Sequence, residues 1–199
     1  MTGKLANPAP LGLMGFATTT WLLSLHNAGF FTADALGMVL SMAFVFGGTA
    51  QFVAGVLEYP KGNTFGFVAF CAYGAFWWTF AAFVEFFAAK VPAQFVAWYL
   101  LVWCAFSFVM WLGTFRANRA LMLVFLALWP TFLLLGLGAW QGSAFITQLG
   151  GYLGLVTAVL AFYLAAAEIL NEAYGQTILP IGPYASKHDD ADLAQAHRA

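Results

Sequence analysis

Long apolar runs separated by short polar breaks make up most of this sequence. A helix needs about 20 consecutive apolar residues to cross the hydrocarbon core of a bilayer, and glycine, proline and charged residues divide the chain into runs of that length. The pattern predicts six transmembrane helices, at about 9–29, 33–58, 64–88, 93–115, 119–140 and 144–173. They form one transmembrane domain at 9–180, after a segment at 1–8 and before a polar tail at 181–199 that we expect to be disordered.

The composition assigns the chain to membrane proteins. Of its 199 residues, 63% are hydrophobic and 8% are charged, and the mean hydropathy is +0.84. Soluble domains carry roughly a quarter of charged residues, so lipid must surround most of this chain, and we predict an all-α polytopic membrane protein. The net charge of -1 gives no field that would attract nucleic acid, and no nucleic-acid partner is expected.

The distribution of lysine and arginine predicts the orientation, because cytoplasmic loops are enriched in these residues. With a cytoplasmic N-terminus, a single one of them, Lys90, falls on the outer side. The inner side then holds the other six: Lys4, Lys61, Arg116, Arg119, Lys187 and Arg198. We therefore expect both termini in the cytoplasm and a multi-pass protein of the cell's inner membrane.

The first predicted helix is unusually polar. It opens with NPAPLGL, where Pro8 and Pro10 fit the first turn and Asn7 is expected to cap it. Spacings of four, four and three residues place one aromatic and three polar side chains on a single face: Phe16, Thr20, Ser24 and Asn27. Polar groups inside a span face protein or water. This polar stripe therefore either bonds neighbouring helices or lines an aqueous path.

Other polar side chains lie near the middle of apolar runs. Gln51 stands in FGGTAQF of the second helix, and Tyr73 and Trp77 are four residues apart in the third. Small residues at spacing four in the sixth helix favour close helix packing: Gly150, Gly154 and Ala158 in one row, Ala161 and Ala165 in another. Glutamates fall near the predicted span ends, where a charge usually snorkels or pairs with a loop residue: Glu58, Glu85, Glu168 and Glu172.

The sequence contains no catalytic or metal-binding motif. Its three histidines are scattered, and HExxH, GxSxG, CxxC and phosphate-binding loops do not occur. We therefore expect no enzyme, no metal and no cofactor. Uncharged polar groups at mid-depth in six spans favour a pathway for a small solute. A membrane scaffold or sensor, in which the polar stripe only joins helices, stays open as an alternative.

Three stretches resemble the acetate uptake transporter family, also called succinate/acetate permeases. They are NPAPLGLMGFATTTWLLSLHNAGF at 7–30, LEYPKGNTFGFVAFCAYGAFW at 57–77 and AAEILNEAYGQTILPIG at 166–182. The resemblance implies six helices per protomer, a homohexamer embedded in lipid, and a separate path through each protomer for acetate and related short carboxylates, with succinate in some members. Members are described as proton-coupled transporters and as channels, and both modes stay open for this chain.

The resemblance also implies which residues form the path. Phe16, Tyr73 and Leu128 would form an aromatic and aliphatic constriction, with Leu128 close to Pro130, a proline that the family signature lacks and that is expected to kink its helix. Uncharged side chains can donate hydrogen bonds to a carboxylate without holding it tightly. The expected donors of this kind are Asn7, Thr19, Thr20, Ser24, Asn27, Gln51 and Trp77. By alignment, Ala161 is expected to decide which sizes of acid fit.

A proton would ease passage along such a path. A bare anion loses several kcal/mol of hydration on entering an apolar ring, whereas the protonated acid does not carry that cost. His26 and Glu85 are the candidates for handling a proton near the outer entrance. Ammonia or ammonium permeation is a further alternative function, and it predicts paired histidines in the pore, whereas one histidine lies in a predicted span.

Overall fold

The computed structural model describes residues 5–183, and this part of the chain is helical. Its six helical segments, α1 to α6, are Ala9–Asn27, Ala33–Lys61, Thr64–Lys90, Ala93–Arg116, Arg119–Gln141 and Ala144–Tyr174. Between residues 5 and 183, β-type pairing is confined to one isolated bridge that joins Asn118 and Pro183. Most of the predicted polar tail lies outside the described residues, and so do three of the cations used to predict the orientation: Lys4, Lys187 and Arg198.

The helices differ in how far they are suited to lipid. In the described part of the chain, α2 to α6 are long and apolar enough to cross a membrane, and α1 is not among them. Threonine, serine, histidine and asparagine lower the hydropathy of α1, and nine of its 19 residues are buried against the other helices. The predicted all-α membrane architecture is confirmed at this level. A crossing by α1 and the side on which each terminus lies stay predictions.

The middle of α2 is a π-helix. A π-helical segment, Ala43–Ala50, interrupts the α-helical geometry. On its exposed side, Thr49 Oγ1 donates to the carbonyl oxygen of Phe44 at 2.8 Å. The α-helix resumes at Gln51, whose side chain is 1% exposed. π-Helical segments often occur at functional sites. At the end of this one, Thr49 faces the outside of the protomer and Gln51 faces its interior.

Glycines in α6 allow it to pack closely against α1. A Cβ atom added at Gly151 would collide with the backbone of Asn27 and Ala28, and one added at Gly154 would collide with the Ser24 hydroxyl. Lipid provides no hydrophobic drive between membrane helices, so close approach through small residues is a usual basis for their association. The two glycines therefore hold the Ser24 end of α1 against α6.

The start of α1 differs from the prediction. Pro8, and not Asn7, occupies the cap position, and its backbone already has helical angles. Proline can begin a helix in this way because its fixed φ suits the first turn and its missing N–H would have no partner there. The Asn7 side-chain oxygen accepts from Ala9 N at 3.3 Å and from Lys61 Nζ at 2.9 Å. Asn7 thus joins the beginning of α1 to the end of α2.

The chain after α6 turns back onto the bundle. Asn171 Oδ1 accepts from the backbone nitrogen of Ile178 at 2.7 Å and from that of Leu179 at 3.0 Å. Further along, the carbonyl oxygens of Ile181 and Gly182 accept from the first backbone nitrogens of α5 at 3.0 and 2.9 Å. Residues 181 and 182, which belong to the predicted tail, are therefore held against the end of α5.

Candidate functional site

Two cavities lie inside the bundle and meet at Phe16 and Leu128, the two described residues that line both of them. The first has a volume of about 390 Å³, and we call it the amide cavity because three carboxamide side chains line it: Gln51, Asn63 and Asn118. The second has a volume of about 290 Å³, and we call it the hydroxyl cavity after the threonine and serine side chains in its lining: Thr20, Ser24, Thr131 and Thr147. A solute crossing from one to the other must pass Phe16 and Leu128.

The junction is apolar and closely packed. Phe16 on α1 is 6% exposed and Leu128 on α5 is 3% exposed, and α5 continues through Pro130 to Gln141. Tyr73 on α3 lines the amide cavity, and its ring centre lies 5.7 Å from that of Phe16. The structure therefore brings together the three residues expected at the constriction.

The hydroxyl of Tyr73 does not point into free space. It lies 2.7 Å from Ser107 Oγ on α4, within hydrogen-bonding distance. Both side chains are buried, so this bond satisfies two polar groups inside the bundle. The ring of Tyr73 is available to the cavity, whereas its hydroxyl is occupied by α4.

The polar stripe of α1 follows the hydroxyl cavity. All four of its members line that cavity: Phe16, Thr20, Ser24 and Asn27. Thr20 Oγ1 and Trp77 Nε1 are buried, and neither atom has a hydrogen-bond partner among residues 5–183. Buried donors without partners are uncommon in folded proteins, and both residues line the cavity, which makes the two groups candidates for hydrogen bonds with a solute.

His26 also lines the hydroxyl cavity, near the end of α1. Its Nδ1 lies 3.1 Å from the carbonyl oxygen of Phe31 and 3.2 Å from that of Thr32. These contacts hold the ring beside the loop that follows α1. The other proton-linked candidate, Glu85, is exposed in the π-helical turn Phe83–Phe87 of α3 and is not part of the lining of either cavity.

The amide cavity combines carboxamides with charges at its edge. Gln51 is 1% exposed, and its Oε1 atom is left without a hydrogen-bond partner in the described chain. Glu168 from α6 and the exposed Arg116 at the end of α4 also line this cavity. The amide cavity therefore has charged side chains in its lining, while the donors of the hydroxyl cavity are mainly uncharged.

Three further predicted residues lie outside both cavities. Thr19 is fully buried and faces Gly47 of α2, and Ala161 is fully buried in the apolar core. Asn7 lines a third, open cleft of about 680 Å³, together with Lys61, Asn171 and Glu172. Their expected roles in substrate binding and size selection stay predictions.

A charge network around the buried Glu58 is the feature that the sequence did not indicate. The sequence suggested that Glu58 is a peripheral charge, but its side chain is fully buried. Glu58 Oε2 accepts from Asn63 Nδ2 at 2.9 Å and lies 3.6 Å from Lys61 Nζ. The sequence does place ionisable residues together at the end of α2 and near the end of α6. This pattern is the same for a charge network and for charges that snorkel to the membrane surface, so it could not identify the network.

The side chains of the two cavities suit a small polar solute. In residues 5–183 no three histidine, cysteine, aspartate or glutamate side chains are close enough to hold a metal ion. The cavities provide amide, hydroxyl and indole groups around an apolar junction. Such groups orient a ligand through weak hydrogen bonds and allow its release.

Comparison with known proteins agrees with this architecture. The chain is 49% identical over 183 residues to the succinate-acetate/proton symporter SatP of Escherichia coli (strain K12), a match that covers 90% of this chain and 96% of the relative. It is 34% identical over 196 residues to ammonia transport outward protein 2 of Saccharomyces cerevisiae, covering 94% of this chain and 69% of the relative. Both relatives are named for transport and not for catalysis.

A solved structure extends the likeness to the fold. The structure of the bacterial acetate channel SatP is 48% identical to the chain and superimposes with a TM-score of 0.86, covering 90% of this chain and 100% of the other. A model of the GPR1/FUN34/yaaH family matches residues 1–183. The family resemblance carried by the three sequence stretches is thereby confirmed, and the chain belongs to the GPR1/FUN34/yaaH family.

Proposed function

We propose that this protein lets acetate and related short carboxylates, including succinate, cross the cell's inner membrane through a path inside each protomer. The observation that carries the proposal is the meeting of two cavities at Phe16 and Leu128. A cavity on each side of a narrow apolar junction is the arrangement that a selective path for small solutes requires. The names of the bacterial relative and of the similar structure, which mention succinate and acetate, support the choice of substrate.

The chemistry of the two cavities fits a short carboxylate. Its oxygens need hydrogen-bond donors, which Thr20 and Trp77 offer in the hydroxyl cavity through atoms that lack partners in the described chain. Its alkyl end needs no donor and suits the apolar junction. Neither of these two donors has a permanent charge, so each replaces part of the hydration shell without holding the anion tightly.

Proton coupling and channel-like flow are two modes of this function. Among the similar proteins, one is named a proton symporter and one is described as a channel. Labelled acetate uptake into proteoliposomes, with and without an inward proton gradient, distinguishes the modes. Accumulation above equilibrium that depends on the gradient indicates coupling, whereas equilibration without accumulation indicates a passive path. No protein-dependent flux in either condition would refute the function and favour a scaffold or sensor.

Ammonia permeation is the second candidate, because one fungal relative is named for ammonia transport. Among residues 5–183, His26 is the histidine that lines a cavity, and the paired pore histidines that this alternative predicts are not present in either lining. The same proteoliposomes separate the two substrates. Ammonia flux without acetate flux would favour the alternative, and acetate flux without ammonia flux would exclude it.

Assembly into a homohexamer is part of the proposal. The exposed surface of α4 supports this assembly. Of the 21 residues in its stretch Ala93–Gly113, only three are buried within the protomer. Large apolar side chains on this helix, among them Phe95, Trp98 and Val102, are more than half exposed and are available for lipid or for a neighbouring copy. Native mass measurement in detergent checks the assembly, and a monomer alone would contradict it.

A further inference from the structure

Five polar side chains form a continuous chain of contacts beside the amide cavity. Asn7 Nδ2 donates to Glu168 Oε2 at 3.0 Å, and Lys61 Nζ donates to Asn7 Oδ1 at 2.9 Å. Lys61 lies 3.6 Å from Glu58 Oε2, which also accepts from Asn63 Nδ2 at 2.9 Å. The chain of contacts joins α6, the start of α1, the end of α2 and the start of α3. Its two terminal members, Glu168 and Asn63, line the amide cavity.

Glu168 has a special place in this network. It lines the amide cavity and also the open cleft that contains Asn7 and Lys61. A solute that moves between the cleft and the amide cavity must therefore pass the carboxyl group of Glu168. The buried Gln51 lines the same cavity, and its Oε1 atom lacks a donor among the described residues. The lining of this cavity thus combines a buried amide oxygen that lacks a partner in the described chain with a carboxyl group at its edge.

The charges of the network do not balance. Glu58 and Glu168 are two carboxyl groups, and Lys61 is the one ammonium in the chain of contacts. Glu172 from α6 also lines the cleft, and Arg116 at the end of α4 lines the amide cavity. Lys61 lies 3.6 Å from Glu58 Oε2 and is linked to Glu168 through Asn7, so in this chain of contacts one ammonium group faces two carboxyl groups. An ionised Glu168 therefore repels an anion at the entrance to the cavity.

We infer that Glu168 controls the entry of carboxylate anions by taking up and releasing a proton, a role that rests on the proposed function. In the ionised state its negative charge opposes the anion. When a proton from water in the cleft binds a carboxylate oxygen of Glu168, the repulsion is removed and the anion enters. The proton returns to the cleft when Glu168 ionises again. Asn7 orients the group through its hydrogen bond in the ionised state.

The test is the exchange of labelled acetate in proteoliposomes with equal acetate and equal pH on both sides. Native protein, Glu168→Gln and Glu168→Asp are compared between pH 5.5 and pH 8, and the flux of protein-free vesicles is subtracted. The ratio of variant to native flux at each pH cancels the titration of acetate itself. We expect the Glu168→Gln ratio to rise with pH, from near one where Glu168 is protonated to about ten where it is ionised. Glu168→Asp keeps a carboxyl group, and its ratio stays nearly constant.

Asp34→Asn is the matched control, since it removes a carboxylate charge from an exposed position outside both cavities. Its ratio should not depend on pH. A flat ratio for Glu168→Gln as well would overturn the role of Glu168, while acetate flux in the native protein would leave the proposed function intact. Absence of flux in the native protein would instead refute the proposed function.

A second variant keeps the inference testable where Glu168→Gln does not fold. Asn7 Nδ2 donates to Glu168 Oε2 at 3.0 Å, so Asn7→Ala removes a hydrogen bond that favours the ionised carboxyl group. We expect the midpoint of the pH profile to move up, because the ionised form of Glu168 loses a hydrogen-bond donor. An unchanged midpoint in this variant would contradict the inference.

Discussion

The two cavities differ in chemistry although they share one junction. The amide cavity is lined by carboxamides and by the charged side chains of Arg116 and Glu168. The hydroxyl cavity is lined by threonines, a serine and aromatic rings. Among the described residues, His26 is the basic side chain in this lining. Charged side chains thus line the cavity on one side of the junction, and mainly uncharged hydrogen-bonding groups line the cavity on the other side. The comparison shows that the two linings differ in charge, and separate roles for them in the proposed path stay a prediction.

The difference follows from where each cavity lies along the helices. The amide cavity opens near helix ends, where Arg116 and Asn63 stand next to loops. Charged side chains are tolerated there because water is close. The hydroxyl cavity draws on Ser24 and Thr20 from the interior of α1, where an uncharged hydroxyl costs far less to bury than a charge.

Opening the junction should have the largest effect. Phe16→Ala removes an aromatic ring at the meeting point of the cavities, so we expect succinate exchange to rise about tenfold and acetate exchange to rise less. The substitution also costs about 3 kcal/mol of stability through the void that it leaves. Exchange of both labelled acids in proteoliposomes, with a thermal unfolding curve in detergent, measures the two effects.

Phe70→Ala is the control for this substitution. Phe70 is 9% exposed and lines the amide cavity without touching the hydroxyl cavity. Its truncation should enlarge one cavity and leave the ratio of succinate to acetate exchange close to that of the native protein. Equal ratios in the two variants would mean that Phe16 does not limit the path.

Removing the free donor of the hydroxyl cavity should have an intermediate effect. Thr20→Val keeps the shape of the side chain and removes Oγ1, which lacks a partner in the described chain. One hydrogen bond contributes about 1 kcal/mol, so acetate exchange should fall roughly fivefold. The measurement is acetate exchange at saturating and at low acetate.

The adjacent residue provides the matched control. Thr19 is fully buried and lies outside both cavities, and its Oγ1 also lacks a partner within residues 5–183. Thr19→Val should leave acetate exchange unchanged and stabilise the fold slightly, because it removes an unsatisfied buried hydroxyl. Equal losses of flux in the two valine variants would remove the distinction between the two faces of α1.

Tyr73→Phe should have the smallest effect. The hydroxyl of Tyr73 is bonded to Ser107 Oγ at 2.7 Å, and the ring at the constriction is kept. We expect acetate exchange to change by less than about twofold and stability to fall by about 0.6 kcal/mol, the typical contribution of a hydrogen bond between membrane helices. Ser107→Ala should give the same loss in thermal unfolding. A large loss of flux in Tyr73→Phe alone would mean that its hydroxyl binds the solute.

The sequence predicted the helical architecture and much of the hydroxyl cavity, because both follow from periodicity. Steps of four, four and three residues from Phe16 lead to Thr20, Ser24 and Asn27, and the structure places all of them along one cavity. The same steps omit Thr19, which points about 100° away from Thr20 around a helix. The expectation that Thr19 binds substrate relied on residue type and not on this periodicity, and it stays a prediction.

The charge network was beyond the sequence because its members meet only through the tertiary fold. Asn7 and Glu168 are 161 positions apart, and nothing in the local pattern around either residue identifies the other. Glu58 falls at a helix end, where an exposed charge is the usual outcome. Leu128 lies in a run of apolar residues, so its place at the junction could be inferred through the family resemblance and not from the pattern.

The pairing of α1 with α6 has a consequence for how the protein is made. The ribosome produces α1 well before α6, which carries the glycines that receive it, Gly151 and Gly154. Until then the threonine-rich helix lacks the neighbour that covers its hydroxyls, and a polar span is unstable in lipid. Nascent chains that stop before residue 144 should therefore be retained by the insertion machinery or degraded, and synthesis of the last helix is the step that completes a stable protomer.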